Sequence, residues 1–335
     1  MVLFLKRKKL VNYSKYGYLF AIPFLVAFLI FTFYPIMYTL LIAFTNQQGI
    51  IPPKKIEILK DPFSCFKYLF KKRGATGKMS YFLASLINTS KIWIINFIPQ
   101  LTLALLLAAW FTDNRVKVKG QGFYKVVFYL PNIITAATIA ILFRTLFGYP
   151  AGYPINDMLI KLGIFKKAFY FLDNGMASRG IVEFIQCWQW YGSTMITLIA
   201  AVIGINPEIF EAAEIDGAGR WRKFWNITIP SVRPIMLFTL VTSMIGGLSM
   251  FDIPLLFGEG KEKLGLQTIA IYIYQTALKD PYMYNRAAAA SIMLFLIIMV
   301  ISVFLFWLLR DKDAAKMAKL KKQEMKRAKA LGRGV

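Results

Sequence analysis

Six apolar stretches recur along the chain, at about 18–44, 82–110, 123–147, 181–203, 233–257 and 287–309. Each is near or above the roughly 20 residues a helix needs to cross a bilayer. With 57% of its 335 residues hydrophobic, the chain is expected to be all-α, a polytopic integral membrane protein with six transmembrane helices. Tyr18–Phe44 follows the basic run Lys6–Lys9, as the apolar part of a secretory signal would. It is too long for one and has no small-residue cleavage site, so it reads as a retained span. The expected organisation is a basic N-terminal segment 1–17, a six-span domain 18–309 with a polar loop at 204–232, and a basic tail 310–335.

An even number of spans puts both termini on one side. With the N-terminus inside, the inner segments carry 22 Lys and Arg and the outer segments 16. The positive-inside rule favours that orientation, although eight of the outer cations lie in the single loop 45–81. The net charge of +24 then points to anionic lipid headgroups rather than to nucleic acid. The tail Asp311–Val335, helix-forming and basic, reads as solvated or bound to headgroups. With no histidine and only Cys65 and Cys187, far apart, a zinc site, a Cys–His nucleophile and a disulfide scaffold have no support. The nearest approach to a nucleotide-binding loop, Gly74–Ser80, has Lys72 where the loop needs glycine and Met79 in place of Ser or Thr, and is rejected. No paired catalytic carboxylates, metal set or nucleophile with a base can be assembled from the spans, which leaves a membrane-embedded enzyme with little support. No cofactor is expected on the chain.

Between the fourth and fifth apolar stretches lies NPEIFEAAEIDGAGRWRKFWNITIP, residues 206–230. Asn206 suits the cap of a helix with Pro207 in its first turn, and Glu208 and Glu211 sit near the positive end of its dipole. A helix over about 207–216 is predicted, ended by Gly217 in the left-handed conformation. A second short helix from Ala218 would put Trp221, Phe224 and Trp225 on one face, with Arg220, Arg222 and Lys223 beside them. A surface helix lying on the bilayer is the alternative reading.

Glu211, Ala212, Ala213, Asp216, Gly217, Ala218, Phe224, Ile227, Pro230 and Pro234 resemble the cytoplasmic "EAA" loop of binding-protein-dependent ABC importers, with Ile229 where that family usually has leucine. Further along, Pro23, Tyr34-Pro35, Phe251-Asp252, Thr268, Tyr272-Ile273-Tyr274 and Ala287–Ser291 are similar to the maltose-type (MalF-like) permease subunit. The outer loop departs from it, reading Gly258-Glu259-Gly260-Lys261-Glu262 where the group carries Gly-Gly-Pro.

The resemblance implies the type I ABC importer permease fold and a place in a bacterial or archaeal plasma membrane with both termini cytoplasmic. It also implies a second homologous permease chain, ABC ATPase subunits that bind ATP and Mg, and an extracytoplasmic solute-binding protein. In the ATPase-coupling loop, Glu211 is expected to meet a basic group on the ATPase. Ala212 and Ala213 keep the surface thin, Asp216 and Gly217 form the bend, and Trp221 and Phe224 enter the ATPase cleft ahead of Pro230.

Inside the spans, polar side chains on one face mark the protein interior or a water-filled path. Glu183, Gln186, Trp190, Ser193 and Thr197 recur at helical spacing, with Gln189 and Thr194 beside them, and Thr239, Ser243, Gly247, Met250 and Pro254 form a second such face. Amides and hydroxyls bond sugar hydroxyls, while Trp188, Trp190 and Tyr191 offer stacking faces. Helix-to-helix packing is the competing reading. Permeases resembling this one place substrate contacts on these two spans, which gives Gln186, Gln189, Trp190, Tyr191, Ser193, Ser243, Gly247 and Met250 as the expected substrate pathway. Lys91, Arg144, Glu183 and Asp252 are expected to snorkel outward or pair among themselves, with an outer gate as the sharper alternative. The expected function is import of a sugar, oligosaccharides first. The alternatives are an ion-gradient transporter using Glu183 and Asp252, and an importer for a polyol or glycerol phosphate.

Overall fold

The computed structural model describes residues 14–49, 51, 53, 55–72, 79–113, 119–148, 154–259, 261, 265–309, 320 and 323–325. The run Lys6–Lys9, the stretch 74–78, Gly260, Glu262 and most of the C-terminal tail lie outside the described residues. The all-helical expectation is met: among the described residues the only β pairing is an isolated antiparallel bridge between Thr45 and Ile58. In chain order the helices are α1 (Ser14–Phe28), α2 (Tyr34–Ile42), α3 (Ser64–Leu69), α4 (Tyr81–Thr112), α5 (Gln121–Ile133), α6 (Ala136–Phe147) and α7 (Pro154–Lys161). After these come α8 (Gly175–Ile203), α9 (Pro207–Ile215), α10 (Arg220–Lys223), α11 (Ile229–Leu248), α12 (Asp252–Gly258), α13 (Ile269–Leu278) and α14 (Tyr284–Leu309).

The chain divides into two compact units. The first comprises residues 1–68 and 276–292. There α1 runs into α2 through a π turn, Leu29–Phe33, closed by the Tyr34 N–H on the Leu29 carbonyl. Pro35, in the first turn of α2, has no N–H to offer the previous turn, which accounts for the widening. The segment after α2 is pinned to the start of α14: the Asn285 amide donates to the Thr45 carbonyl at 3.0 Å, and the Arg286 guanidinium lies over the Tyr68 ring at 3.7 Å.

The second unit, residues 69–275 and 293–335, holds the long helices that matter most for function. Ser80 caps α4 by accepting from the Leu83 N–H. Ala104 and Ala108 of α4 let Met195, Leu198 and Ile199 of α8 approach closely, with Phe111 closing one end of this core. Gln100 donates to the Thr194 hydroxyl at 2.9 Å across the same pair. Such bonds between helices contribute roughly 0.6–2 kcal/mol each in lipid. Gly192 of α8 lies against the Phe128 carbonyl of α5 with no room for a Cβ. A second core joins Ile92, Ile139, Val182, Ile185, Ile253 and Phe257 from α4, α6, α8 and α12.

Among the described residues, four helices are long and apolar enough to cross a membrane: Gly17–Ile42, Tyr81–Thr112, Arg220–Leu248 and Tyr284–Leu308. Six is reached by counting two bent pairs, one of which is α5 with α6. The single helix predicted over 123–147 is therefore two, bent by 88°. Gln189 makes the break tolerable by donating to the freed Ile134 carbonyl at 3.2 Å, and Thr135 caps α6 by accepting from the Thr138 N–H. The helix predicted over 233–257 instead begins at Arg220, passes through a π turn at Phe224–Thr228 and stops at Leu248. The chain then unwinds to Phe251, where the Thr268 hydroxyl donates to the Met250 carbonyl at 2.7 Å.

Candidate functional site

Two regions of the second unit collect the residues singled out in the sequence. The first is the bent segment around Gly217. Asn206 accepts from the Glu208 N–H at 3.1 Å, which starts α9 where its sequence requires. The helix ends in a Schellman turn, with the Ala218 N–H on the Ala213 carbonyl at 2.8 Å and the Gly217 N–H on the Glu214 carbonyl at 3.1 Å. Gly217 carries φ +74°, and a Cβ there would touch nothing, so glycine is demanded by the backbone rather than by crowding.

Glu211, Ala212, Asp216, Gly217 and Pro230 are exposed, and Ala213 and Phe224 half-buried. Trp221 is 68% exposed and Ile215 88%. Lys223, predicted to lie beside the aromatic face, is instead buried, and its ammonium meets Glu214 at 2.6 Å. That pair closes α10 onto α9, and Arg220 ties α10 to Asp113 at the end of α4 at 3.2 Å. Phe224 and Trp221 meet edge to face along a groove of about 1090 Å³ that runs on past Trp110 and Phe111. At its edge Gln121 donates to the Phe111 carbonyl.

The second region is a cavity of about 410 Å³ between α4, α8 and α11, within the range of small-ligand sites, ~300–1,000 Å³. Both helix breaks open onto it, through Ala136 after the first and Ser249 to Asp252 at the second. Seven of the eight expected pathway residues line it: Gln186, Gln189, Trp190, Ser193, Ser243, Gly247 and Met250. Tyr191 does not. One residue on from Trp190, it is turned by about 100° around the helix and is buried against the Phe128 ring, 6.4 Å between centroids. Trp188 likewise packs on Phe143 and not on the cavity.

The sequence reading missed the α4 wall, made of Trp93, Asn96 and Gln100. Their spacing of three and four was the available signal. The Trp93 indole donates to the Ser243 hydroxyl at 3.2 Å and lies flat enough on Gly247 that a Cβ there would overlap the ring.

Lys91, Arg144, Glu183 and Asp252 do not pair among themselves. Arg144 meets Glu259 at 3.4 Å, and Glu183 meets Arg179 at 3.6 Å. A hydrogen bond from Lys261 holds the Glu259 carboxyl below the usual carboxylate range. Lys91 is exposed, and Asp252 lines the cavity with no ion pair among the described residues. No group of three or more His, Cys, Asp or Glu among the described residues is placed to hold a metal.

Residues 77–311 match the family described as binding-protein-dependent transport system inner membrane component. The chain is similar to the lactose transport system permease protein LacF of Rhizobium radiobacter, at 27% identity over 308 residues, 90% of this chain and 96% of LacF. It is also similar to the probable ABC transporter permease protein YesP of Bacillus subtilis, at 30% identity over 294 residues, 87% of this chain and 89% of YesP. Among solved structures it resembles a chain of a bacterial ABC transporter involved in the import of the acidic polysaccharide alginate. The TM-score is 0.72 at 27% identity, covering 89% of this chain and 97% of that one. A second structure of the alginate transporter, in complex with an alginate pentasaccharide-bound periplasmic protein, gives a TM-score of 0.73 at 26% identity, over 90% and 96% of the two chains.

Proposed function

Because the chain belongs to the family of binding-protein-dependent transport system inner membrane components, we propose that it is the permease subunit of an ABC importer for a saccharide, oligosaccharides first, with ATP hydrolysed on separate subunits. The observation that carries this reading is the cavity, where polar side chains and the rings of Trp93 and Trp190 line one space at two helix breaks. Unwound backbone in a membrane protein is tolerated where it is buried or lines such a space. Relatives named for transport of lactose and of arabinooligosaccharides support the substrate class. The partners are a second, homologous permease chain, ABC ATPase subunits that bind ATP and Mg, and an extracytoplasmic solute-binding protein. The chain itself holds no cofactor.

The bent segment 206–230 docks on the ATPase. Its exposed Trp221, Ile215 and Ile209 give it apolar surface, and Glu211 and Asp216 give it charge. Held by the Lys223–Glu214 and Arg220–Asp113 pairs, it moves as one body with α4, α9 and α11 when the ATPase subunits close. That orientation puts both termini on the cytoplasmic side of a bacterial or archaeal plasma membrane. The saccharide shifts the balance between outward-open and inward-open states only by its differential affinity for the two. An ion-gradient mechanism through Glu183 and Asp252 finds less support, since Glu183 does not line the cavity.

The test is copurification followed by reconstitution of the assembled complex in vesicles with a panel of saccharides. ATP-dependent uptake of at least one saccharide, lost when the ATPase is omitted, is expected. Uptake by this chain without an ATPase, driven by an ion gradient, would overturn the reading.

A further inference from the structure

The hydrogen-bonding capacity of the cavity wall is unevenly spent. The hydroxyls of Ser193 and Thr197 donate to the Trp190 and Ser193 carbonyls, each at 3.0 Å. Those of Thr239 and Thr242 donate to Ile235 and Phe238, at 2.8 and 2.9 Å. A hydroxyl has one proton, so toward a ligand these four oxygens have only acceptor capacity left. Each of three amides commits one of its two N–H donors: Asn96 to the Ile92 carbonyl at 2.8 Å, Gln100 to Thr194 and Gln189 to Ile134. Gln186 and Trp190 bring further N–H groups to the lining. The Trp93 N–H is committed to Ser243. Among the lining residues there is no lysine or arginine, and the single charge is Asp252, an acceptor-only carboxylate without an ion pair among the described residues.

We propose that the transported saccharide is uncharged, and that Asp252 is a specificity-determining residue that accepts from a pair of neighbouring sugar hydroxyls and turns acidic sugars away. The inference rests on the saccharide reading above and sharpens it. A sugar hydroxyl can donate to the Asp252 carboxylate and also accept from the amide and indole N–H groups of the wall, such as those of Gln186 and Trp190. A uronate carboxylate brings two further acceptors and a negative charge, meets no cation, and is repelled by Asp252. Asp252 is exposed, and near a protein surface two like charges close to contact cost more than about tenfold in binding relative to a neutral partner. The similarity to an importer of the acidic polysaccharide alginate makes the distinction a real one, since the fold is shared and the charge of the cargo is predicted to differ.

The experiment is equilibrium binding of radiolabelled saccharides to the assembled importer in nanodiscs, with the solute-binding protein left out. The probes are neutral di- and trisaccharides built from glucose, galactose or arabinose, with each hexose-ended probe paired with its C6-oxidised uronate. Wild type is expected to bind at least one neutral member, and its uronate at least about tenfold more weakly. Asp252→Asn should bring that ratio below about threefold, and Asp252→Lys should invert it. Equal or tighter binding of the uronate by wild type overturns the proposal and leaves the saccharide reading standing. So does a ratio that neither variant moves. Failure of every saccharide to bind, with uptake of some other solute, overturns both. If one variant does not assemble, the other decides, and the wild-type ratio alone already fixes the sign.

Discussion

The bent segment at Gly217 and the cavity between α4, α8 and α11 both depend on glycine, for opposite reasons. Gly217 stands in open space and is required by its backbone angle, φ +74°. Gly192 and Gly247 have ordinary helical backbones and are required by what presses on them, the Phe128 carbonyl and the Trp93 indole. The segment is a local device, made by residues close together in sequence and offering its surface outward. The cavity is a packing product, made by helices far apart in sequence and offering its surface inward. A change in the first should disturb communication with a partner, and a change in the second should disturb the fold or the ligand.

The largest effect expected from this contrast is at the bend. A β-branched residue in the left-handed region costs roughly 1–2 kcal/mol, and proline would also remove the Gly217 N–H that closes the turn. Gly217→Val and Gly217→Pro should insert in the membrane in normal amount, keep ATP hydrolysis in the assembled complex and lose more than about 90% of uptake, whereas Gly217→Asn, which tolerates that conformation, should keep most of it. Next is Gly192→Ala, which should lower the thermal stability of the detergent-solubilised chain by about 1–3 kcal/mol through overpacking against α5. Gly217→Ala meets no atom and is opposed only by the left-handed backbone, by roughly 1 kcal/mol, so it should cost no more than Gly192→Ala, and the reverse order would break the comparison.

Trp190→Ala should weaken saccharide binding by about tenfold through loss of a stacking face while leaving ATPase docking intact. The smallest effect lies outside both regions. The Lys67 ammonium bonds Asp61 at 2.7 Å and holds its carboxyl below the usual range, with the Phe63 N–H adding to the effect. A depressed folded value means that the contribution is present above the unfolded value and is lost as pH falls through the folded one. Since both groups are exposed, the difference in unfolding temperature between wild type and Asp61→Asn should be slight at neutral pH and shrink further as pH falls below the usual carboxylate value.

The bend was legible because every signal for it is local: Asn206 caps its own helix, and Gly217 directly follows the C-terminal cap, Asp216. The α8 wall was legible because one helix has one period. Gln189 shows where legibility stops. Its partner, the Ile134 carbonyl, becomes available only because α5 and α6 part, and that break in turn depends on Gln189. Tyr191 was misplaced because a polar face was read as broad enough to include its neighbour, when Phe128 of α5 claims it. Trp93, Asn96 and Gln100 carried the right spacing, submerged in a helix of 32 mostly apolar residues. Lys223 was placed beside the aromatic face, but its burial was not legible, because its carboxylate partner nine residues earlier is reached only through the turn at Gly217.

The central claim is that the segment around Gly217 is a cytoplasmic docking surface separate from the saccharide cavity. It is tested most directly by placing one cysteine at its exposed face, Ala212→Cys, in a chain carrying Cys65→Ala and Cys187→Ala, and assembling the complete importer. The account predicts that this cysteine cross-links to the ATPase subunit, that a membrane-impermeant thiol reagent reaches it only from the cytoplasmic side, and that cross-linking stops transport without preventing saccharide binding. Labelling from the outer side, or full transport with no cross-link to the ATPase, would contradict it.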